Sequence, residues 1–424
     1  MMQSLDDLRA GKYKGTRRLK LSCGLTEFPR EILDLYDTLE ILDLSNNPLS
    51  TLPKEIHRLH KLKVAFFSDC NFTTFPKGLA QCRSLEMIAF KNNGMTTISE
   101  GVFPRKLRWL ILTNNKIESL PHSIGSCHRL QKIWPTKTVG QQDRSFTPLV
   151  VQSSRIVISF VLWKPCTPSN EDNPTLDDIS WSDLKIDHLL GEGASGIISK
   201  GVWKSSTAEK NVAVKLFKGE VTSDGVPADE MNACITAGRH PNLIDPIGKI
   251  HGHPEKRGLV LELIPPHYTN LGLPPTLDSC TRDAFHPETF FSIEKCRAIL
   301  ISIASASKHL HERGITHGDL YAHNILIDDS GHALLGDFGA ATIYQKGYEH
   351  SEAIEKMEVF AFGHLIEDML GLVARKVVAM DNLSVCDEKE GYAIEELNLL
   401  HYKCTNPIVM DRPLFSEICT ELCA

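Results

Sequence analysis

The residues most able to do chemistry lie in the run His317-Gly318-Asp319-Leu320-Tyr321-Ala322-His323-Asn324, followed by Gly336-Asp337-Phe338-Gly339. An aspartate five residues before an asparagine lets one loop offer a base to an incoming hydroxyl and an oxygen ligand to a divalent cation. Asp319 reads as the base and Asn324 as the ligand. Asp337 adds a second carboxylate, suited to a metal that bridges nucleotide phosphates. Either short motif alone could arise by chance; the order of the residues around them does not.

Those groups need elements to position them. Leu189-Leu190-Gly191-Glu192-Gly193-Ala194-Ser195-Gly196 reads as a strand, a flexible turn and a second strand starting near Ile197-Ile198. A dinucleotide fold would require a helix directly after the glycines, whereas Ile197 to Trp203 is strand-like in composition. Further on, Asn211-Val212-Ala213-Val214-Lys215-Leu216-Phe217 places Lys215 on a strand, where it would contact the α and β phosphates. Such a lysine needs a carboxylate. Glu230 opens a helix reaching Ala237, just before His240-Pro241-Asn242-Leu243, and Asp229 is the adjacent alternative.

With these residues in place, the chain from about Ser180 to Ala424 resembles a eukaryotic-type protein kinase domain of the tyrosine kinase-like group. The resemblance implies a two-lobed α+β fold with ATP and Mg2+ in the cleft, a hinge following Leu259-Val260-Leu261-Glu262-Leu263, and Leu261 as gatekeeper. It also implies catalytic roles for Asp319, Lys215 and Asn324, and metal ligation by Asn324 and Asp337. The nucleotide site it implies comprises Gly191, Glu192, Gly193, Ala194, Ser195, Gly196, Ile198, Ala213, Lys215, Glu230, Glu262 and Leu263. A serine or threonine acceptor rests on the resemblance alone.

Three departures from the family pattern bear on activity. Gly318 stands where an arginine is usual, so the loop lacks the cation that would pair with a phosphorylated activation segment, which argues against regulation by that phosphate. Tyr321 replaces the lysine of serine/threonine kinases, and His323 stands where tyrosine kinases carry an arginine. A phenol cannot supply the point charge of an ammonium, so a slower enzyme or help from His323 is expected. Third, the segment from Gly339 to Glu358 is short and has no A-P-E triplet. Arg412 is left to pair with Glu352 or Glu355, and Glu358 replaces a family aspartate.

The N-terminal part repeats about every twenty-three residues. Leu39-Glu40-Ile41-Leu42-Asp43-Leu44-Ser45-Asn46-Asn47 fits L-x-x-L-x-L-x-x-N, and the register returns at Leu62, Leu85 and Leu107, with Cys70, Asn93 and Asn115 at the asparagine place. Phe28-Pro29, Leu52-Pro53, Phe75-Pro76 and Leu120-Pro121 share one phase. These are leucine-rich repeats, and the fold expected is an α/β leucine-rich repeat solenoid followed by the two-lobed kinase fold. Its concave face is the expected site for a protein partner or substrate. Val64, Phe66, Met87, Ala89, Trp109 and Ile111 would form an apolar patch there, with Arg18, Lys20, Ile41 and Asp43 in the same rows of earlier repeats.

The domains expected are repeats over 15–134, an irregular linker over 135–179 and the kinase domain over 180–424. The apolar stretch from Pro148 to Trp163 is strand-prone and too short and polar at its middle for a membrane span. No signal sequence is evident at Met1 and the twelve cysteines lack paired spacing, which points to a cytoplasmic protein with free thiols. A net charge of −7 offers no basic face for nucleic acid, and eighteen scattered histidines indicate no structural metal. A nucleotide-binding pseudokinase and a repeat-based adaptor are the alternatives to an active kinase.

Overall fold

Each N-terminal repeat folds one short strand around its buried leucine positions. The strands β1 (Arg18–Lys20), β2 (Ile41–Asp43), β3 (Val64–Phe66), β4 (Met87–Ala89), β5 (Trp109–Ile111) and β6 (Lys132–Trp134) pair in chain order, all parallel. The computed structural model describes residues 3–112, 114–117, 121, 123–124, 127, 130, 132–134, 149–153, 156–160, 176–193, 196–205, 208–218, 227–273, 276, 283–347, 351–379 and 388–424. It divides into two compact units, residues 1–164 with 275–282 and 407–410, and the remainder.

The register brings Leu19, Leu42, Ala65, Ile88 and Leu110 side by side, and all five are 0% exposed. Alternation along each strand sends the flanking residues to the other face of the sheet. There Ile41, Val64 and Met87 form one buried apolar cluster, with Phe66, Trp109 and Ile111 packed against it. The apolar row therefore starts at Ile41, one repeat earlier than the sequence rows suggested. Pro29, Pro53 and Pro76 each precede a 3-10 turn, at Arg30–Leu35, Lys54–Arg58 and Lys77–Gln81, where proline's fixed φ suits the exit from the strand. Leu120 lies outside the described residues.

The asparagine place satisfies the backbone where each repeat turns. Asn115 Oδ1 accepts from Met95 N at 3.1 Å, and its Nδ2 donates to the carbonyls of Phe90 and Leu112 at 2.8 Å. Asn47 and Asn93 make the same bonds in their repeats, while the Cys70 thiol donates to Leu44 O at 3.4 Å. The residues just before, Asn46, Asp69, Asn92 and Asn114, all have left-handed φ of 54 to 60°, a conformation that asparagine and aspartate tolerate. Asn115→Ala should orphan these buried groups and destabilise the repeats by on the order of 3 kcal/mol. Asn114→Gly, exposed and already left-handed, should cost under about 1 kcal/mol. Urea dependence of hydrogen exchange at the repeat amides checks the contrast; equal shifts for both variants would refute it.

The strand-prone stretch after the repeats forms β7 (Leu149–Ser153) and β8 (Ile156–Phe160), paired antiparallel. Among the described residues no helix is long and apolar enough to cross a membrane.

The second unit begins with β9 (Asp177–Ser180), which adds in parallel to the edge of an antiparallel sheet, order β10-β11-β12-β14-β13. These strands are β10 (Leu184–Glu192), β11 (Gly196–Lys204), β12 (Glu209–Phe217), β13 (Pro246–His251) and β14 (Gly258–Glu262). One face buries Val212, Val214 and Val260 with Ile179 and Leu184, shielded by Trp181 and Trp203. Helix α1 (Leu5–Arg9) precedes the repeats, and α2 (Pro227–Ala237) supplies Ala233, Cys234 and Ala237 to a core that also holds Phe217 and Leu259. α2 begins ahead of Glu230, so Glu230 sits within its first turns.

The rest is mainly helical. A short strand β15 (Thr269–Asn270) leads to α3 (Ile293–Glu312), capped by Ser292, whose side chain accepts from Lys295 N. β16 (Ile315–Thr316), β17 (Ile325–Ile327), β18 (Ala333–Leu335) and β19 (Thr342–Ile343) carry the chemistry-bearing loops. The long α4 (Ser351–Ala379), α5 (Glu388–Cys404) and α6 (Phe415–Cys423) pack with α3, and Ile299, Leu300, Ile303, Phe362 and Ile366 are fully buried in the core that α3 and α4 share with them.

Candidate active site

The glycine turn is built by β10 and β11, with Gly191 opposite Ile198 and Glu192 opposite Ile197. Gly193 N donates to Gly196 O at 3.0 Å, closing the turn; Ala194 and Ser195 lie outside the described residues. The glycines have different reasons to be there. A Cβ on Gly196 would fall 2.7 Å from Leu216 O and 3.5 Å from Lys215 Cε, so this glycine permits close approach to the lysine strand. A Cβ on Gly191 or Gly193 would meet open space. Ile198 lies opposite Lys215, and Ala213 opposite Leu261, while Glu262 ends β14 opposite Val212 and Leu263 follows half-buried. Glu262 N donates to Asp245 O at 3.0 Å, which fixes the start of the chain leaving this sheet.

Lys215 and Glu230 form a buried ion pair, 6% and 4% exposed. The Asp229 side chain lies outside the described residues, and Glu230 is the carboxylate in contact. Asp337 Oδ1 stands 3.9 Å from the Lys215 ammonium. Burial pulls Lys215 toward neutrality, but Glu230 and then Asp337 outweigh it and hold the ammonium above its ordinary value. A fixed cation at this point suits phosphate oxygens.

Asp319 and Asn324 face each other across a tight turn. Asn324 Nδ2 donates to Asp319 O at 2.9 Å and to Asp319 Oδ2 at 3.1 Å, bonds that do not engage the Asn324 amide oxygen. Asn324 and Asp337 flank the paired strands β17 and β18, and Gly336 N donates to Asn324 O at 3.0 Å. His317 joins the two loops: Nε2 donates to Gly336 O at 2.8 Å and Nδ1 accepts from Asp319 N at 3.3 Å, an assignment the two partners dictate. Asp337 has φ 58° and accepts from Gly339 N at 3.2 Å. One carboxylate and one amide oxygen are hard donors that suit Mg2+, which takes few protein ligands and fills its shell with water and substrate phosphate. Among the described residues no group of three or more His, Cys, Asp or Glu could form a separate metal cage.

The loop is held from below by a residue read only as a conservative replacement. Glu358 in α4 accepts from Gly318 N at 2.7 Å and from His311 Nε2 at 2.8 Å. Burial would raise this carboxyl, yet the His311 hydrogen bond and charge outweigh it, and Glu358 is held below the ordinary range. Arg412 does not meet either expected glutamate. It donates to the carbonyls of Asn406 and Lys356 at 2.8 and 3.2 Å and lies over the Phe360 ring, and burial lowers it to about 10. Glu355 is taken by Tyr344 and Lys346, at 2.7 and 2.6 Å, and Glu352 pairs with Lys356. Tyr321 stacks on His323, with centroids 5.8 Å apart.

Residues 184–361 match the model of the protein tyrosine and serine/threonine kinase family, and 38–59 and 106–127 match that of the leucine rich repeat. A probable serine/threonine-protein kinase of Dictyostelium discoideum is 25% identical over 45% of this chain and 21% of its own length. A probable L-type lectin-domain containing receptor kinase of Arabidopsis thaliana is 33% identical over 38% of this chain and 23% of its own. The human receptor tyrosine-protein kinase erbB-4 is 27% identical over 43% and 14%. The chain spans less than a quarter of the length of each of these relatives. Its C-terminal part is thus a protein kinase domain of the tyrosine and serine/threonine kinase family, and leucine-rich repeats precede it.

Proposed function

We propose that the chain is an ATP- and Mg2+-dependent protein kinase with a serine or threonine acceptor, and that the face of the repeat sheet opposite the leucine core binds its partner or substrate through the half-buried Phe66, Trp109 and Ile111, which lie beside the buried Ile41, Val64 and Met87. The observation that carries the reading is the buried Lys215–Glu230 pair with Asp337 beside it, since the two carboxylates keep a buried ammonium charged and fixed where phosphate oxygens could meet it. The domain limits 15–134, 135–179 and 180–424, the solenoid and the two-lobed cleft belong to this reading.

Asp319 accepts the proton of the acceptor hydroxyl, and Asn324 fixes Asp319 while offering its own oxygen to the cation. Lys215 holds phosphate oxygens and Glu230 holds Lys215. When bound, magnesium on Asn324 and Asp337 neutralises charge on the phosphates. Gly191, Glu192, Gly193 and Gly196 border the phosphates in this reading, and Ile198, Ala213, Glu262 and Leu263 frame the base.

Neither the glycine at 318 nor the tyrosine at 321 removes a member of this set. A cytoplasmic location is part of the proposal and is supported by the free cysteines, nine among the described residues. Purified protein incubated with labelled ATP and Mg2+, then subjected to phosphoamino-acid analysis, should yield phosphoserine or phosphothreonine, and chelation with EDTA should end the transfer. Nucleotide binding with no transfer would give the pseudokinase reading instead.

A further inference from the structure

Between β14 and α3, among the described residues, the chain forms no helix and lies along the Asp319–Asn324 turn. β15 pairs with β17, Leu271 N donates to Ile325 O at 2.8 Å, and Gly272 N donates to Ala322 O at 3.0 Å. A Cβ on Gly272 would fall 2.7 Å from Ala322 Cβ, so the approach requires glycine. Further along the same segment comes Asp283, whose side chain is 5% exposed. Its Oδ2 accepts from Ala322 N at 2.9 Å, and Ala322 is the residue midway between the base loop and Asn324.

The other carboxylate oxygen is idle. Among the described residues Asp283 Oδ1 is buried without a hydrogen-bond partner, and so is His323 Nδ1, which lies 3.6 Å from it. That distance is too long for a hydrogen bond, and two buried polar atoms left facing each other are costly. Contacts of this kind in substrate-free sites commonly shorten when the site closes.

We propose that Asp283 is a positioning residue for the Asp319–Asn324 turn: Oδ2 fixes the Ala322 amide, and Oδ1 takes His323 Nδ1 when substrate draws the turn closed. It acts on the reaction through the turn and not by touching the reacting atoms. The inference rests on the proposed kinase activity for its kinetic consequence, but the contact itself does not.

The test uses the full chain. Hydrogen exchange at the Ala322 amide should speed at least about tenfold in Asp283→Ala and stay near wild type in Asp283→Asn, which keeps an acceptor. Unchanged exchange in Asp283→Ala would overturn the proposal whether or not the protein transfers phosphate. In kinetics, Asp283→Ala should lower kcat by roughly 10 to 100-fold with KM for ATP within about twofold, as expected of a misplaced rather than absent group. Asp283→Asn and His323→Ala should each lower kcat, and their combination should be no worse than the worse single change. Fully additive losses would sink the coupling. The Asp283→Asn and His323→Ala tests stand if Asp283→Ala fails to fold, and an inactive wild type would refute the kinase reading while leaving the exchange result to decide on Asp283.

Discussion

Asp319→Asn is expected to reduce phosphoryl transfer by at least about a thousandfold while leaving Mg-ATP binding within about twofold, because a positioned base is worth on the order of 10²–10⁴ in rate. The substitution keeps the shape of the turn. Asn324 Nδ2 donates to Asp319 Oδ2 at 3.1 Å and to the Asp319 carbonyl at 2.9 Å, and both acceptors survive in an amide. What disappears is the charge proposed to receive the hydroxyl proton. In the proposed site nucleotide affinity rests elsewhere, on Lys215, Glu230 and Asp337, which the change does not touch. Lys215→Met should by contrast lose transfer and binding together, and it would leave Glu230 as a buried charge without its counter-ion, a loss of about 3–5 kcal/mol in stability. A thermal-shift titration with Mg-ATP alongside a transfer assay separates the two variants. Residual transfer above a tenth of wild type in Asp319→Asn would remove the base from the mechanism.

The parts of this site that the sequence made legible are those whose spacing along the chain is short and whose residue types are rare in that combination. Asp319 and Asn324 sit in one turn, so five residues of spacing determine their contact. The repeat strands were legible for a similar reason, since period and phase return with every unit. Glu230 required a choice against Asp229, because two adjacent carboxylates at a helix start differ only in which side of the helix they occupy. The partners of Arg412 leave no trace in the sequence: they come from α4 and from Asn406, and a buried guanidinium can be satisfied by carbonyls and an aromatic face, which carry no charge pattern. Asp283 had no signal at all. Its partner is a backbone amide 39 residues away, and any sequence offers such an amide. At Gly318 the sequence shows only the arginine that is missing, while the backbone conformation carries a further reason for glycine.

Gly318→Arg, which restores the residue usual in the family, is therefore expected to lower activity by about a hundredfold or more. Gly318 has φ +74°, and a Cβ there would stand 2.4 Å from Ala340 O, a backbone atom that cannot swing aside. Left-handed strain in a residue with a side chain costs of order 1–3 kcal/mol before the clash is counted, and relief would move either the base loop or the segment following Asp337. Gly318→Ala should lose nearly as much, because the obstacle is the Cβ and not the charge; an active alanine variant with an inactive arginine variant would refute the steric account. The arginine would also find no phosphate to serve. The segment after Asp337 is already fixed by β16–β19 pairing, by Tyr344 N donating to Gly314 O at 2.7 Å, and by Glu355 accepting from Tyr344 and Lys346 at 2.7 and 2.6 Å. Tyr344 is 5% exposed, its hydroxyl spent on Glu355 and its pKa pushed well up by burial and that carboxylate, so it is a poor acceptor in place. Phosphatase-treated protein should accordingly keep its rate within about twofold, since a carboxylate built into α4 supplies the anion that a phosphorylated segment would otherwise bring. A tenfold loss, restored by autophosphorylation at Thr342 or Ser351, would show that this carboxylate does not suffice.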